Sequence, residues 1–253
     1  MTISWTGAPH QAQTCPVCAA GNATEVLVYA APDGQNTRYF RCDNCACVYP
    51  DHFDNADDSV GGYQIGRADR DLGLKHYVEV GAGIGSLLEP LLRVKPSPEG
   101  SLLDVGCGFG YVVAAWEQIG AGKTTAHGIE LASYGHYGRE LLGIDISHEL
   151  LDRNAQVAGR QFDVIYSSEV IEHVPDALAF LKDIRSFMTA DGMLVLTTPN
   201  ADAIGQDLNV PVLLAALSPG FHQFLLSAKQ LRSFIQQAGF AHCVIEEKGC
   251  TLV

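Results

Sequence analysis

The stretch Ser101-Leu-Leu-Asp-Val-Gly-Cys-Gly-Phe-Gly110 limits what this chain can become more than any other. Residues of strand character, Leu102 to Val105, run straight into glycines at 106, 108 and 110, and the apolar run Tyr111-Val-Val-Ala-Ala-Trp116 follows. Glycine at alternate positions lets the backbone turn sharply and lets a ligand lie against main-chain N–H groups, with no Cβ in the way. A helix opening after Gly110 brings its positive dipole end to the same spot. The next strand closes on Gly128-Ile-Glu130, about twenty residues on, where a nucleotide-binding α/β unit places an acid against ribose hydroxyls.

The rhythm continues to the end of the chain. Strands are expected at 102–105, 125–130, 143–147, 162–168, 192–198 and 241–246, with helices at 111–119, 135–142, 177–188 and 228–238. The last helix has Ser227 as its cap and Gly239 as its stop. This alternation predicts an α/β fold: a Rossmann-like, doubly wound, mostly parallel sheet with helices on both faces. Ligands then sit at the carboxyl ends of the strands.

The glycines are spaced GxGxG, and Asp104 closes the first strand. With the segments above, residues 101–249 resemble the class I S-adenosylmethionine-dependent methyltransferases. The resemblance implies that Asp104, Gly106, Cys107, Gly108 and Gly110 hold the methionine part of S-adenosylmethionine and that Glu130 holds its ribose. It places Ser168, at the end of the fourth strand, beside adenosine and substrate, and makes S-adenosylhomocysteine the product. The family closes its sheet with an antiparallel last strand. A chain ending at Val253 leaves that hairpin little room, so the strand is expected to be missing or the chain to be part of a longer polypeptide.

A competing glycine run, Val78-Glu-Val-Gly-Ala-Gly-Ile-Gly85, matches the same motif. Tyr77, Val80, Ile84, Leu87, Leu88, Leu91 and Leu92, however, recur at helical steps. A helix packed on the sheet is expected there. Only the second run leaves one loop, one acid and the later strands in a workable order.

Ahead of this lie Cys15-Pro-Val-Cys18 and Cys42-Asp-Asn-Cys45, with 23 residues between the pairs. Each C-x2-C turn can point two thiolates at one ion, and two such turns complete a tetrahedral Zn²⁺ site of structural type. Strands at 25–29 and 38–42, joined by Pro32-Asp-Gly-Gln, make this a zinc ribbon. Cys47 is a spare that can replace Cys45, and disulfides or unligated thiols are the alternatives. The domains expected are a ribbon at 1–50, a linker and helical cap at 51–100, and a methyltransferase domain at 101–253. In the glycan-modifying methyltransferases that the chain resembles, a tyrosine ahead of the main domain closes over the cofactor; Tyr63 is the candidate.

Glu169, Glu172 and His173 follow the fourth strand at i, i+3 and i+4, so one helical turn would aim all three alike. His222, in Pro219-Gly-Phe-His222-Gln-Phe, is available as a fourth ligand. Carboxylates and imidazoles can hold Mg²⁺ or another divalent ion. The pattern resembles two metal-using branches of the family, the ubiquinone-pathway O-methyltransferases and the small-RNA 2′-O-methyltransferases. There the ion binds the acceptor and acidifies its hydroxyl. Without an ion, His173 or His222 is the general base. Residues 201–226, apolar at 210–217, read either as a substrate lid or as a surface helix packed on the sheet.

The net charge of −13 argues against a general nucleic-acid binder. The start is polar with no apolar h-region, the longest apolar run is broken by Pro211, and cytoplasm is the expectation. The reading is methyl transfer to a small polar acceptor, and the ribbon-first resemblance favours a hydroxyl of a sugar, sugar nucleotide or glycan. Carbon methylation of a keto-sugar, a zinc-ribbon ribosomal-RNA methyltransferase and a non-catalytic scaffold are the alternatives.

Overall fold

The computed structural model describes residues 2–7, 9–10, 14–32, 34–52 and 81–247. Tyr63, most of the expected linker and residues 78–80 of the competing glycine run lie outside them. The chain opens with strands β1 (Thr2–Trp5), β2 (Pro9–His10), β3 (Ala23–Ala30), β4 (Asn36–Cys42) and β5 (Val48–Pro50). Helix α1 (Ile84–Val94) leads to β6 (Gly100–Val105), α2 (Tyr111–Gly120), β7 (Thr124–Ile129), α3 (Tyr134–Leu142) and β8 (Ile146–Ser147). Then come β9 (Phe162–Ser168), α4 (Ala177–Ser186), β10 (Met188–Thr197), α5 (Val210–Leu217) and α6 (Ala228–Gln237).

These elements form two compact units, and the division does not follow chain order. One unit takes residues 81–170 and 182–197; the other takes 2–52, 171–181 and 198–247.

The first unit holds a five-stranded sheet in the order β10-β9-β6-β7-β8, with every neighbouring pair parallel. The chain runs outward from β6 through β7 to β8, then returns to β9 on the other side of β6. The crevice at the carboxyl ends of β6 and β9 is therefore the switch point where α/β sheets bind ligands. Leu91 of α1, Leu102 of β6, Val112, Val113 and Trp116 of α2, and Val164 and Tyr166 of β9 share one core. The competing glycine run is settled by this packing. From Ile84 it is the helix its apolar stripe predicts, and the Tyr166 hydroxyl donates to the Leu87 carbonyl at 2.6 Å.

Two expectations about the sheet need correction. Residues 241–247 form no strand and are largely exposed, Val244 at 85%; among the described residues β10 has only β9 as a neighbour. The strand expected at 143–147 shrinks to Ile146–Ser147, because Gly143 is the left-handed cap of α3 (φ 66°).

The second unit is built on an antiparallel sheet in the order β1-β3-β4-β5, with β2 also on β3. Burial alternates residue by residue along β3, as a strand with one covered face requires. Sequence reading finds the β3–β4 hairpin but misses β1, which sits in a stretch read only as polar. Helices α5 and α6 start on side-chain caps, Asn209 accepting from the Val212 amide and Ser227 from the Gln230 amide. Leu27, Tyr29, Tyr39 and Val48 of the sheet share a core with Ala201, Ile204, Leu213, Leu217 and Leu225. Helix α5 thus packs on a sheet, as the second of the two readings has it, but on the N-terminal strands, whose core it fills with Leu213 and Leu217.

Replacing Leu213, 1% exposed, by alanine should lower the unfolding free energy by about 2–5 kcal/mol in urea titration. A helix that merely covered the surface would lose under about 0.5 kcal/mol.

Candidate active site

β6 delivers the chain into a loop whose glycines at 106, 108 and 110 all have left-handed backbones, with φ of 77°, 54° and 78°. A Cβ on Gly106 would run into the Val170 side chain, whereas one on Gly108 would meet nothing within 4 Å. The first glycine is demanded by packing; the second borders open space a ligand can use. Helix α2 begins after Gly110 with no side-chain cap bond, and a helix start of this kind directs its positive dipole end at a bound group.

Glu130 fixes this loop. One carboxylate oxygen accepts from the Gly108 amide at 2.8 Å and the other from the Ala132 amide at 2.8 Å. Each oxygen keeps a further lone pair for a ligand hydroxyl. Burial pushes the Glu130 carboxyl up, and the Ala132 and Gly108 amides and His148 work against it. Asp104, 2% exposed, is pushed well up by burial and then by the charge of Glu130. A ligand bearing positive charge would relieve both carboxylates. The Cys107 thiol is also pushed well up, by burial and by the same two acids, which makes it a neutral loop side chain rather than a nucleophile.

At the ends of β9 and β10, the Ser168 and Thr197 hydroxyls are 2.7 Å apart, and Thr197 donates to a Glu169 carboxylate oxygen at 3.3 Å. Ser168 must then donate to Thr197, since a hydroxyl has one proton. The helical turn expected from 169 to 173 does not form. Glu169 is left-handed (φ 55°), and only residues 171–173 make a short 3₁₀ turn. Glu169 accordingly serves the Thr197 hydroxyl and is not among the ligand-like groups that cluster next.

In the other unit, Glu172, His173 and His222 bring one carboxylate oxygen and two imidazole nitrogens within 4.8 Å of one another. Glu172 is fully buried, and its second oxygen accepts from the Thr198 hydroxyl at 2.9 Å. Backbone carbonyls fix both rings: His173 Nδ1 lies 3.0 Å from the Phe221 oxygen and His222 Nδ1 lies 2.8 Å from the Ala216 oxygen. A carbonyl only accepts, so each Nδ1 carries the proton and each Nε2 keeps the lone pair. His222 Nε2 is 3.9 Å from Glu172, and the two rings meet edge to face at 4.7 Å. Burial, and for His222 also the neighbouring His173, lowers both imidazoles, His222 to about 4. At neutral pH the trio offers two lone-pair nitrogens beside a carboxylate, a donor set suited to a divalent ion or to accepting a proton. Gln223 stitches the two segments together, its amide N–H donating to the Glu172 carbonyl at 2.9 Å and its side chain to the His173 carbonyl at 2.6 Å.

The same unit gathers Cys15, Cys18, Cys42 and Cys45, all four sulfurs within 4.8 Å of one another. Cys15 and Cys45 sulfurs are 3.7 Å apart and Cys18 and Cys42 are 3.5 Å apart. Four thiolates about 2.3 Å from a Zn²⁺ ion have tetrahedral edges of about 3.8 Å, so the residues fit that ion. Asn44 donates to the Cys18 sulfur at 3.5 Å. Burial acts against Cys18 ionising, but this bond and the Ala20 amide outweigh it and bring the thiol to about 7. Cys47 donates to the Cys45 carbonyl at 3.8 Å instead of joining the four.

Residues 84–245 match a family described as Methyltransferase domain. The chain belongs to that family. Its parallel sheet is the Rossmann-like fold of the class I S-adenosylmethionine-dependent methyltransferases. A ubiquinone biosynthesis O-methyltransferase of Parvibaculum lavamentivorans is 38% identical over 111 residues, covering 42% of this chain and 43% of the relative. A tRNA U34 carboxymethyltransferase of Cronobacter sakazakii is 29% identical, covering 64% of this chain and 51% of the relative. The chain thus spans about half the length of these curated relatives. A Nostoc punctiforme structure, provisionally assigned as an O-methyltransferase, shares the fold with a TM-score of 0.55 at 15% identity, covering 74% of this chain and 61% of the other.

In this member of the family, sequence reading passed over three residues. His148 donates from Nδ1 to the Glu130 carbonyl at 2.8 Å and packs on His136; its partner is a main-chain atom that no motif marks. Thr197 and Thr198 lie at and just past the end of β10, where one donates to Glu169 and the other to Glu172.

Glu130→Gln should raise the S-adenosylmethionine dissociation constant about tenfold or more by calorimetry, because one of its oxygens becomes an amide facing an N–H. His222 makes stability pH-dependent. Its folded value near 4 lies below the ordinary 6.5, so its contribution is intact above pH 6.5 and is lost as pH falls toward 4. The loss is at most about 3 kcal/mol, and denaturant titrations of His222→Gln across that range should be correspondingly flatter.

Proposed function

We propose that this enzyme methylates a hydroxyl oxygen of a small polar acceptor, with Glu172, His173 and His222 on the acceptor side. The loop Asp104–Gly110, Glu130 and Ser168 hold the cofactor in this reading, and Cys15, Cys18, Cys42 and Cys45 hold a structural Zn²⁺. The observation that carries it is the trio: two Nε2 lone pairs beside a buried carboxylate, in a chain whose cofactor donates a methyl cation equivalent. The name of the ubiquinone biosynthesis relative specifies O-methyl transfer, which supports oxygen over the carbon of a keto-sugar.

The trio can act in either of two ways. One Nε2 takes the hydroxyl proton as oxygen attacks the sulfonium methyl, leaving S-adenosylhomocysteine. A bound Mg²⁺ or other divalent ion, held by Glu172, His173 and His222, would supply Lewis acidity to the hydroxyl. The remainder of the task is alignment and exclusion of water.

A hydroxyl of a sugar, sugar nucleotide or glycan is the acceptor class that the cysteine module favours. A phenolic hydroxyl is the second reading, favoured by the ubiquinone-biosynthesis name of the relative from Parvibaculum lavamentivorans. Methyl-tritiated S-adenosylmethionine should label a sugar-nucleotide or glycan panel at oxygen; label confined to a catechol panel selects the second reading, and label at carbon refutes oxygen transfer. Glu172→Gln should lower turnover about 10²-fold or more. Loss of turnover in EDTA with recovery in Mg²⁺ selects the ion, and indifference selects the base. Between 50 and 200 mM salt the rate should hold within about twofold, where an RNA substrate would lose orders of magnitude.

A further inference from the structure

The cysteine cluster and the histidine trio belong to one compact unit, and a short run of hydrogen bonds connects them. Val48, just past the cysteines, exchanges main-chain bonds with Leu225: the Leu225 amide donates to the Val48 carbonyl at 2.7 Å and the Val48 amide to the Leu225 carbonyl at 3.1 Å. Ser227, fully buried, donates its hydroxyl to the Cys45 carbonyl at 2.7 Å while capping α6. Arg41, adjacent to Cys42, donates to the carbonyls of Ala201 at 3.0 Å, Ile204 at 2.8 Å and Ala46 at 3.3 Å. The Ala201 amide in turn donates to the Leu226 carbonyl at 3.1 Å. Residues 225–227 are therefore held to the cysteine turn at several points. His222 and Gln223 stand just before them, and Gln223 is the residue that grips Glu172 and His173.

We propose that the metal-bound cysteine cluster is the fixed point that positions the acceptor-side trio, with Arg41 and Ser227 as positioning residues. This rests on the reading of the four cysteines as a zinc site and of Glu172, His173 and His222 as the acceptor side. A zinc ribbon that only stabilised its own hairpin would need none of these bonds to residues 201–227. Thiolate ligands make the coupling sensitive to oxidants and chelators, since loss of the ion frees the turn that carries the Cys45 carbonyl.

The test is hydrogen exchange on the 253-residue chain, with its zinc content measured first. Stripping the ion with a chelator should speed exchange at Gln223 and Leu225 at least about tenfold, in step with residues 42–48. Amides of 102–110 should keep their protection, which rules out global unfolding, and added Zn²⁺ should restore the rest. Ser227→Ala and Arg41→Gln, with zinc still bound, should each speed Gln223 exchange several-fold and lower turnover while S-adenosylmethionine affinity stays within about twofold. Unchanged exchange at Gln223 and Leu225 after zinc loss, or in both variants, overturns the proposal. A chain that purifies and binds no zinc, yet protects Gln223, overturns the zinc reading and the positioning role together; full zinc occupancy with unaltered Gln223 overturns only the second.

Discussion

The Glu130 carboxylate, holding the amides of Gly108 and Ala132 with one oxygen each, is the constraint around which the cofactor crevice is arranged. A loop with three left-handed glycines has wide backbone freedom to lose before it holds one shape. Tying its middle residue to the end of the neighbouring strand supplies that shape. The carboxylate does so at the expense of burial, next to a second buried acid at 104. An unrelieved pair of this kind is costly in an empty fold and favourable around a cationic ligand. Stability and cofactor affinity are therefore in tension at this loop, as preorganised sites often show.

The trio obeys a different rule. Its rings are fixed through main-chain carbonyls of Phe221 and Ala216 rather than through acidic side chains. That choice sets the tautomers without adding charge, and burial then keeps both imidazoles neutral at physiological pH. The buried carboxylate of Glu172 is the anionic group that faces His222, at 3.9 Å, among the described residues.

Much of the parallel sheet was legible because strand, glycine loop and helix carry their own local signals. Leu102–Val105, Phe162–Ser168 and the helix after Gly110 fall where periodicity and turn residues put them. What failed depended on partners distant in sequence. Val244 and Ile245 look like strand residues, but a strand needs a neighbour to pair with, and residues 241–247 have none assigned among the described residues. The spacing of Glu169, Glu172 and His173 suggested one helical face, yet a left-handed residue at 169 breaks the turn at its start. His222 joined Glu172 and His173 as expected, whereas Ser227, Arg41 and Gln223 carry no motif, because their partners are carbonyl oxygens that every residue possesses.

The interleaving of the second unit has an evolutionary side. Its oily interior is contributed jointly by strands before residue 50 and by helix and loop after residue 200. A gene fragment encoding only the amino-terminal sheet could not be transplanted as a self-sufficient cassette, nor could it be trimmed away to leave a smaller catalyst. Either cut would expose Leu27 and Tyr29 on one piece, or Leu213 and Leu217 on the other, to water. Recombination must then carry both of these segments together, or exchange neither.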